Sequence, residues 1–283
     1  MRICKKLLIF VPKNLHNYFK MMKQTTLFIS VLLLLSACGS VPLTGRRQML
    51  LVSDAEIVSA SLTQYNDFIK TATLSADKTK TAMVERVGKN VAAATEAYLK
   101  QNGLESELAN FAWEFKLVKD NQVNAFCMPG GKIVVYEGLI PLVASDDELA
   151  VVLGHEIAHA VAKHANERMS QEVLAQYGAA ILDAALSTKS AAIRSLGSTV
   201  FGLGAQLGVM LPYSRQHEYE ADYLGMVFMT LAGYNPQSTV TFWQKMASQG
   251  NAGTLEILST HPTDANRIAE LQRRLPEMAK FKK

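Results

Sequence analysis

Cysteine is scarce. Three residues in 283, Cys4, Cys38 and Cys127, are too few for the disulfide framework that staples small secreted domains. Charge is also low, 19% of residues against 49% hydrophobic ones, which excludes a self-repelling disordered chain and leaves ample material for a core. No internal repeat or low-complexity tract interrupts the chain. Acidic residues are missing altogether from residues 1–37, which carry Arg2, Lys5, Lys6, Lys13, Lys20 and Lys23. Without those six positive charges the formal net charge of +4 becomes −2. The basic balance is therefore local, and no nucleic-acid partner is expected from it.

Apolar runs long enough to span a membrane are absent too. The run Leu27–Leu35 has nine residues, a helical rise of about 14 Å and roughly half a hydrocarbon core. It reads as the core of a signal peptide over residues 1–37, with 1–20 as an upstream extension because Met21 or Met22 would start a conventional signal. Leu35-Ser36-Ala37-Cys38 resembles a bacterial lipobox, in which cleavage leaves an acylated Cys38 as the first residue. Cys127 would then be alone, with no disulfide to form. Gly39 and Ser40 follow, with no acidic retention signal. The expectation is a lipoprotein of the outer membrane, facing the periplasm and held through Cys38. The glycine-interrupted apolar segment 196–211 reads as a buried helix or a mobile flap.

Residues 38–52, with Pro42, Gly45 and two arginines, read as a lipidated tether, and 53–283 as one domain. Ser53-Asp54-Ala55-Glu56 has capping-box spacing and opens a helical pattern; a second helix covers about 79–101. Phe111, Trp113, Phe115 and Leu117 alternate as a strand, and Lys132–Tyr136 is another, entered through Pro129-Gly130-Gly131. From Leu139 onward everything reads as helix. The predicted class is α+β, mainly helical, with a small antiparallel sheet.

The strongest chemical signal is His155-Glu156-Ile157-Ala158-His159. Ser145-Asp146-Asp147-Glu148 caps the helix that carries it, so His155 and His159 share a face and both imidazoles can reach one tetrahedral Zn²⁺ per chain. Glu156, rotated about 100° from His155, stays outside the metal shell and can move protons to and from a zinc-activated water. A third ligand is needed. An HExxHxxGxxH extension fails, because Ala162 and Ala165 stand where Gly and His are required. His164, five residues beyond His159, falls about 140° round the helix and is expected to be exposed. Glu218 and Asp222, at i and i+4 in a later acidic stretch, leave two assignments open: one ligates and the other orients a ligand histidine. Glu220 projects elsewhere.

HExxH, then Ser214-Arg215-Gln216-His217-Glu218-Tyr219-Glu220-Ala221-Asp222, Ala232-Gly233-Tyr234-Asn235-Pro236 and Ser259-Thr260-His261-Pro262 together resemble the gluzincin metalloproteases related to HtpX, BepA and the CAAX prenyl protease. The likeness covers about residues 80–275, and Pro42-Leu43-Thr44-Gly45-Arg46-Arg47-Gln48 resembles the lipoprotein branch. It implies a zincin-like fold, with Glu218 as third ligand and Asp222 as partner of a zinc-bound histidine. It also implies His261 as oxyanion stabiliser or gate, and a supporting structural or oxyanion role for Arg267. Asn124, Ala125 and Phe126 with strand 132–137 would form an edge that pairs with extended substrate. The expected activity is zinc-dependent endopeptidase cleavage of misfolded or stalled envelope proteins, with contact to outer-membrane assembly machinery. The alternative is a chaperone-like assembly lipoprotein whose zinc site is structural or gated. Multi-span members of the family embed their catalytic domain in membrane helices; this chain departs from them.

Overall fold

The computed structural model describes residues 38–174, 214–249, 256–261 and 265–282. The leader 1–37 and the segment 196–211 lie outside the described residues.

The caps read from the sequence start the helices they were expected to start. Ser53 Oγ accepts the Glu56 N–H while the Glu56 carboxylate accepts the Ser53 N–H, opening α1, Asp54–Thr71. Asp77 caps α2, Lys78–Gln101, and Gly103, at φ 73°, leads the chain out of it. Val84, Val87, Val91 and Leu99 bury one face of α2 at helical spacing.

Strands β1 (Cys38–Ser40) and β2 (Arg47–Met49) form a separate two-stranded sheet. Strands β3 (Glu114–Val118), β4 (Ala125–Met128) and β5 (Lys132–Tyr136) form a second sheet in the order β3-β5-β4. Gly130 and Gly131, at φ 92° and 79°, make the tight turn that pairs β4 antiparallel with β5. Strand β3 lies on the other side of β5 and runs parallel to it. The two strands with a visible pattern are thus the parallel pair, and the sheet is mixed where an antiparallel one was expected. Strand β4 escaped notice as a strand because all four of its residues are buried, so it shows no alternation. It is an edge; β5, expected to belong to the edge, is central.

Residues 39–52 are not a free tether. Val41 and Val52 are buried, at 1% and 3% exposure. Leu51 N–H donates to Ser170 Oγ at 2.9 Å and Asn166 Nδ2 donates to the Val52 carbonyl at 3.1 Å. The anchoring residues are single apolar side chains among turn formers, too sparse to create a period. The segment is a strap across the helical residues 164–174.

Helix α3, Asp146–Val161, starts at the Ser145 cap and is buried along nearly its whole length. It packs against α2, β4 and α4 (Arg215–Leu231). Helices α5 (Gln237–Gln249), α6 (Glu256–Thr260) and α7 (Ala265–Arg274) follow. Trp243 and Phe242 of α5 are fully buried, each such side chain stabilising the fold by roughly 1.5–3 kcal/mol. Among the described residues no helix is long and apolar enough to cross a membrane.

Candidate metal centre

The site forms where α3 and α4 cross. Gly154 and Gly225 meet backbone to backbone there: a Cβ on Gly225 would lie 2.7 Å from the His155 nitrogen and 2.8 Å from the Gly154 carbonyl carbon. Only glycine permits this approach, and it brings the Glu218–Asp222 face of α4 onto the His155–His159 face of α3. The nitrogens His155 Nε2 and His159 Nε2 are 3.0 Å apart. The Glu218 carboxylate lies 3.3 Å from the first and 3.4 Å from the second. His261 Nδ1 is 3.1 Å from His155 Nε2 and 3.2 Å from Glu218. One ligand atom from each of His155, His159, Glu218 and His261 lies within 4.8 Å of the other three. All four residues are buried.

Three imidazole nitrogens and a carboxylate that converge in this way are donors that suit zinc. The electrostatics favour a cation. Burial alone would lower the His155 imidazolium, but Glu218 and Asp222 outweigh it and raise it to about 9; in its place a metal would displace that proton. Burial would raise the Glu218 carboxyl, yet His261, Arg267 and His155 hold it well below the usual range. Burial pushes the His159 imidazolium well below its ordinary value.

Asp222 is not in the donor group. It accepts from His155 Nδ1 at 3.0 Å, which turns the bare Nε2 toward the centre. The spacing left Glu218 and Asp222 interchangeable; the geometry separates them. Arg267 donates through Nε and Nη2 to Asp222, and its Nη1 donates to the His261 carbonyl at 3.2 Å and lies 3.1 Å from Glu218. Its guanidinium is stacked on Trp243, 4.2 Å from the ring centre. Arg267 therefore holds other side chains in place and lies behind them.

Glu156 is buried beside the donors, its carboxylate 3.4 Å from His261 Nε2. Burial raises its carboxyl above the ordinary value. The Cys127 N–H donates to it, which follows from β4: the Asn124 carbonyl accepts the Tyr136 N–H of β5, so in the antiparallel register the N–H groups of Ala125 and Cys127 point away from β5. Of the expected substrate residues, Asn124, Ala125 and Phe126 are all buried, and Asn124 Oδ1 accepts the Ala125 N–H. The outward donors of this edge are thus engaged by the protein's own groups. Burial pushes the Cys127 thiol well up, leaving it a packing residue.

Sequence reasoning placed His164 on the surface and dismissed Glu220. His164 is fully buried. Helix α3 ends at Val161 and Lys163 takes a left-handed φ of 57°, held by its Nζ at 2.7 Å from both Asp54 and Glu107. The turn folds His164 back beneath His159, so extrapolating the helix by 140° fails. His164 Nδ1 lies 2.9 Å from His159 Nδ1, and His164 Nε2 lies 3.0 Å from Glu220. Glu220 in turn accepts from Arg46 Nε at 2.6 Å and from Thr44. Arg46 also binds Glu167 bidentately, at 3.0 and 2.7 Å. Only the Arg46 motif carried any signal of this network, and it specified no partner.

The network makes a pH prediction. Burial alone would raise the Glu167 carboxyl, but hydrogen bonds from His217 and Arg46 and the Arg46 charge bring it from its ordinary 4.5 to about 2. A depressed carboxyl contributes stability that is complete above pH 4.5 and is lost as pH falls toward 2. Thermal melts between pH 5 and 2.5 should therefore show a steeper loss of Tm for the wild type than for Glu167→Gln, by several degrees; parallel curves would contradict this.

The sequence profile of peptidase family M48 matches residues 78–275. The chain belongs to peptidase family M48. It is 35% identical over 181 residues to the mitochondrial metalloendopeptidase OMA1 of Schizosaccharomyces pombe, an alignment covering 61% of this chain and 49% of that protein. The Arabidopsis thaliana protein of the same name is 38% identical over 176 residues, covering 59% and 33%. The beta-barrel assembly-enhancing protease of Escherichia coli is 29% identical over 175 residues, covering 59% and 35%. This M48 peptidase thus matches half or less of the length of each of these three relatives. The mitochondrial proteins, which the motif resemblance did not include, are at least as similar as the bacterial one.

Proposed function

We propose that this M48 peptidase is a zinc metalloendopeptidase, anchored through acylated Cys38 in the outer membrane on the periplasmic side, that cleaves misfolded or stalled envelope proteins. The observation that carries the catalytic reading is the convergence of His155, His159 and Glu218 with Glu156 buried beside them. Bound zinc would polarise the scissile carbonyl and acidify a water at that point. Glu156, buried beside the donors, would accept a proton from a water there and deliver it to the leaving amine. Asp222, clamped by Arg267, keeps His155 in the ligating tautomer. An extended peptide laid along β4 would replace the Asn124 and Glu156 contacts of Ala125 and Cys127 with its own carbonyls, a recognition that reads backbone and tolerates varied side chains.

The resemblance of Leu35-Ser36-Ala37-Cys38 to a lipobox supports the envelope location, and the name of the E. coli relative is compatible with contact to outer-membrane assembly machinery. Comparing envelope proteomes of cells producing wild type or Glu156→Gln tests this reading. Envelope proteins that accumulate with the variant are the expected substrates; identical proteomes would overturn it.

One observation favours the alternative, a chaperone-like lipoprotein with a gated zinc site. His261 Nδ1 lies within the donor group, where a fourth protein ligand would take the position that water needs. In cobalt-substituted protein a visible spectrum unmoved by a hydroxamate inhibitor would support a closed site; a shifted spectrum supports the enzyme.

A further inference from the structure

Asp222 orients His155 from its Nδ1 side; His159 has a contact at its own Nδ1 as well. The group there is His164 Nδ1, 2.9 Å away. Two imidazole nitrogens at that distance need one proton between them, and its owner is decided at the far end of the chain. Glu220 receives Arg46 Nε, Thr44 and His164 Nε2, and a carboxylate can only accept. His164 Nε2 must carry a hydrogen; a neutral His164 then has a bare Nδ1, and His159 Nδ1–H must donate to it. The consequence is a bare His159 Nε2, aimed at Glu218 and His155 Nε2. From these three contacts we infer that His164, Glu220 and Arg46 form a positioning arm that fixes the ligating tautomer and ring orientation of His159.

The arm starts in the strap. Arg46 lies between β1 and β2 and anchors itself by a two-point pairing with Glu167, a residue of the helical stretch that the strap crosses. Arg46 and its carboxylates are largely shielded from water, the side chains being 16%, 8% and 5% exposed for Arg46, Glu167 and Glu220. Charge-assisted bonds in such a setting are strong and geometrically specific. The strap, lying outside the matched family region of residues 78–275, is thereby part of the scaffold of the metal centre. His155 and His159 are held by different devices: a carboxylate clamped by Arg267 for one, and a histidine–glutamate–arginine chain for the other.

The inference rests on His155, His159 and Glu218 holding zinc, as proposed above. Its test is zinc affinity of the full chain, measured by chelator competition, with the cobalt spectrum as a readout of ligand geometry. His164→Leu removes the acceptor and should weaken zinc binding about 10–100-fold and shift the cobalt bands. His164→Asn can place an amide oxygen near the position of Nδ1 and should recover most of the affinity. Should the Leu variant fail to fold, Arg46→Ala carries the test, with affinity reduced about tenfold and circular dichroism of the native helices retained. Wild-type affinity in a folded His164→Leu or Arg46→Ala variant would overturn the arm, as would an Asn variant no better than Leu. A wild-type protein that binds no zinc would instead overturn the metal reading on which the arm depends.

Discussion

Glu156→Gln lowers the rate of cleavage of an unfolded protein by about 10²–10⁴-fold while leaving one zinc bound per chain. The amide has the shape of the carboxylate but cannot take a proton from water, so chemistry fails where packing does not. None of the four convergent donors is lost, since Glu156 is outside that group. The fold should tolerate the change, because a neutral amide at a site with 2% exposure escapes the desolvation that raises the Glu156 carboxyl. Initial rates and metal content, taken on the same preparation, check both halves of the expectation. A loss of less than tenfold would point to another base, and loss of zinc would place Glu156 among the ligands.

Gly225→Ala has the second largest effect, and acts through geometry alone. The new Cβ would stand 2.7 Å from the His155 nitrogen and 2.8 Å from the Gly154 carbonyl carbon, closer than real Cβ atoms approach backbone. Helices α3 and α4 must separate, and every distance between the histidines on one and Glu218 and Asp222 on the other grows. Overpacking of this kind costs about 1–3 kcal/mol, a fall in Tm of roughly 3–10 °C for a domain of this size, and zinc affinity should fall at least about tenfold. Gly233→Ala is the control. Its φ of 90° is unfavourable to alanine, but nothing lies within 4 Å of the added atom, so it should cost stability through backbone strain, about 1–2 kcal/mol, and leave zinc affinity unchanged. Equal zinc affinity in the two variants would show that the glycine contact does not set the site.

What the sequence could express was local. The caps at Ser53 and Ser145, the helical face shared by His155 and His159, and the turn at Gly130-Gly131 depend on neighbours a few residues apart, and the structure has them. The i,i+4 pair Glu218 and Asp222 was visible as a pair, but its division of labour depends on Arg267 and the angle of α4, which no spacing encodes. His164 was misread because one left-handed residue, Lys163, breaks the rotation on which the reading relied, and the ion pairs of Lys163 with Asp54 and Glu107 span long stretches of chain. Strand β4 was hidden by its own burial. The strap was misread for the opposite reason: its few apolar anchors carry no period, and its most informative residue, Arg46, acts on groups more than a hundred residues away.

The central claim is that zinc is held by His155, His159 and Glu218 at the crossing of α3 and α4. Crystals of the zinc-loaded chain measured on either side of the zinc absorption edge test it most directly. The account predicts one anomalous peak about 2.0–2.2 Å from His155 Nε2, His159 Nε2 and a Glu218 oxygen; a peak elsewhere, or one with Asp222 coordinated in place of Glu218, would contradict it.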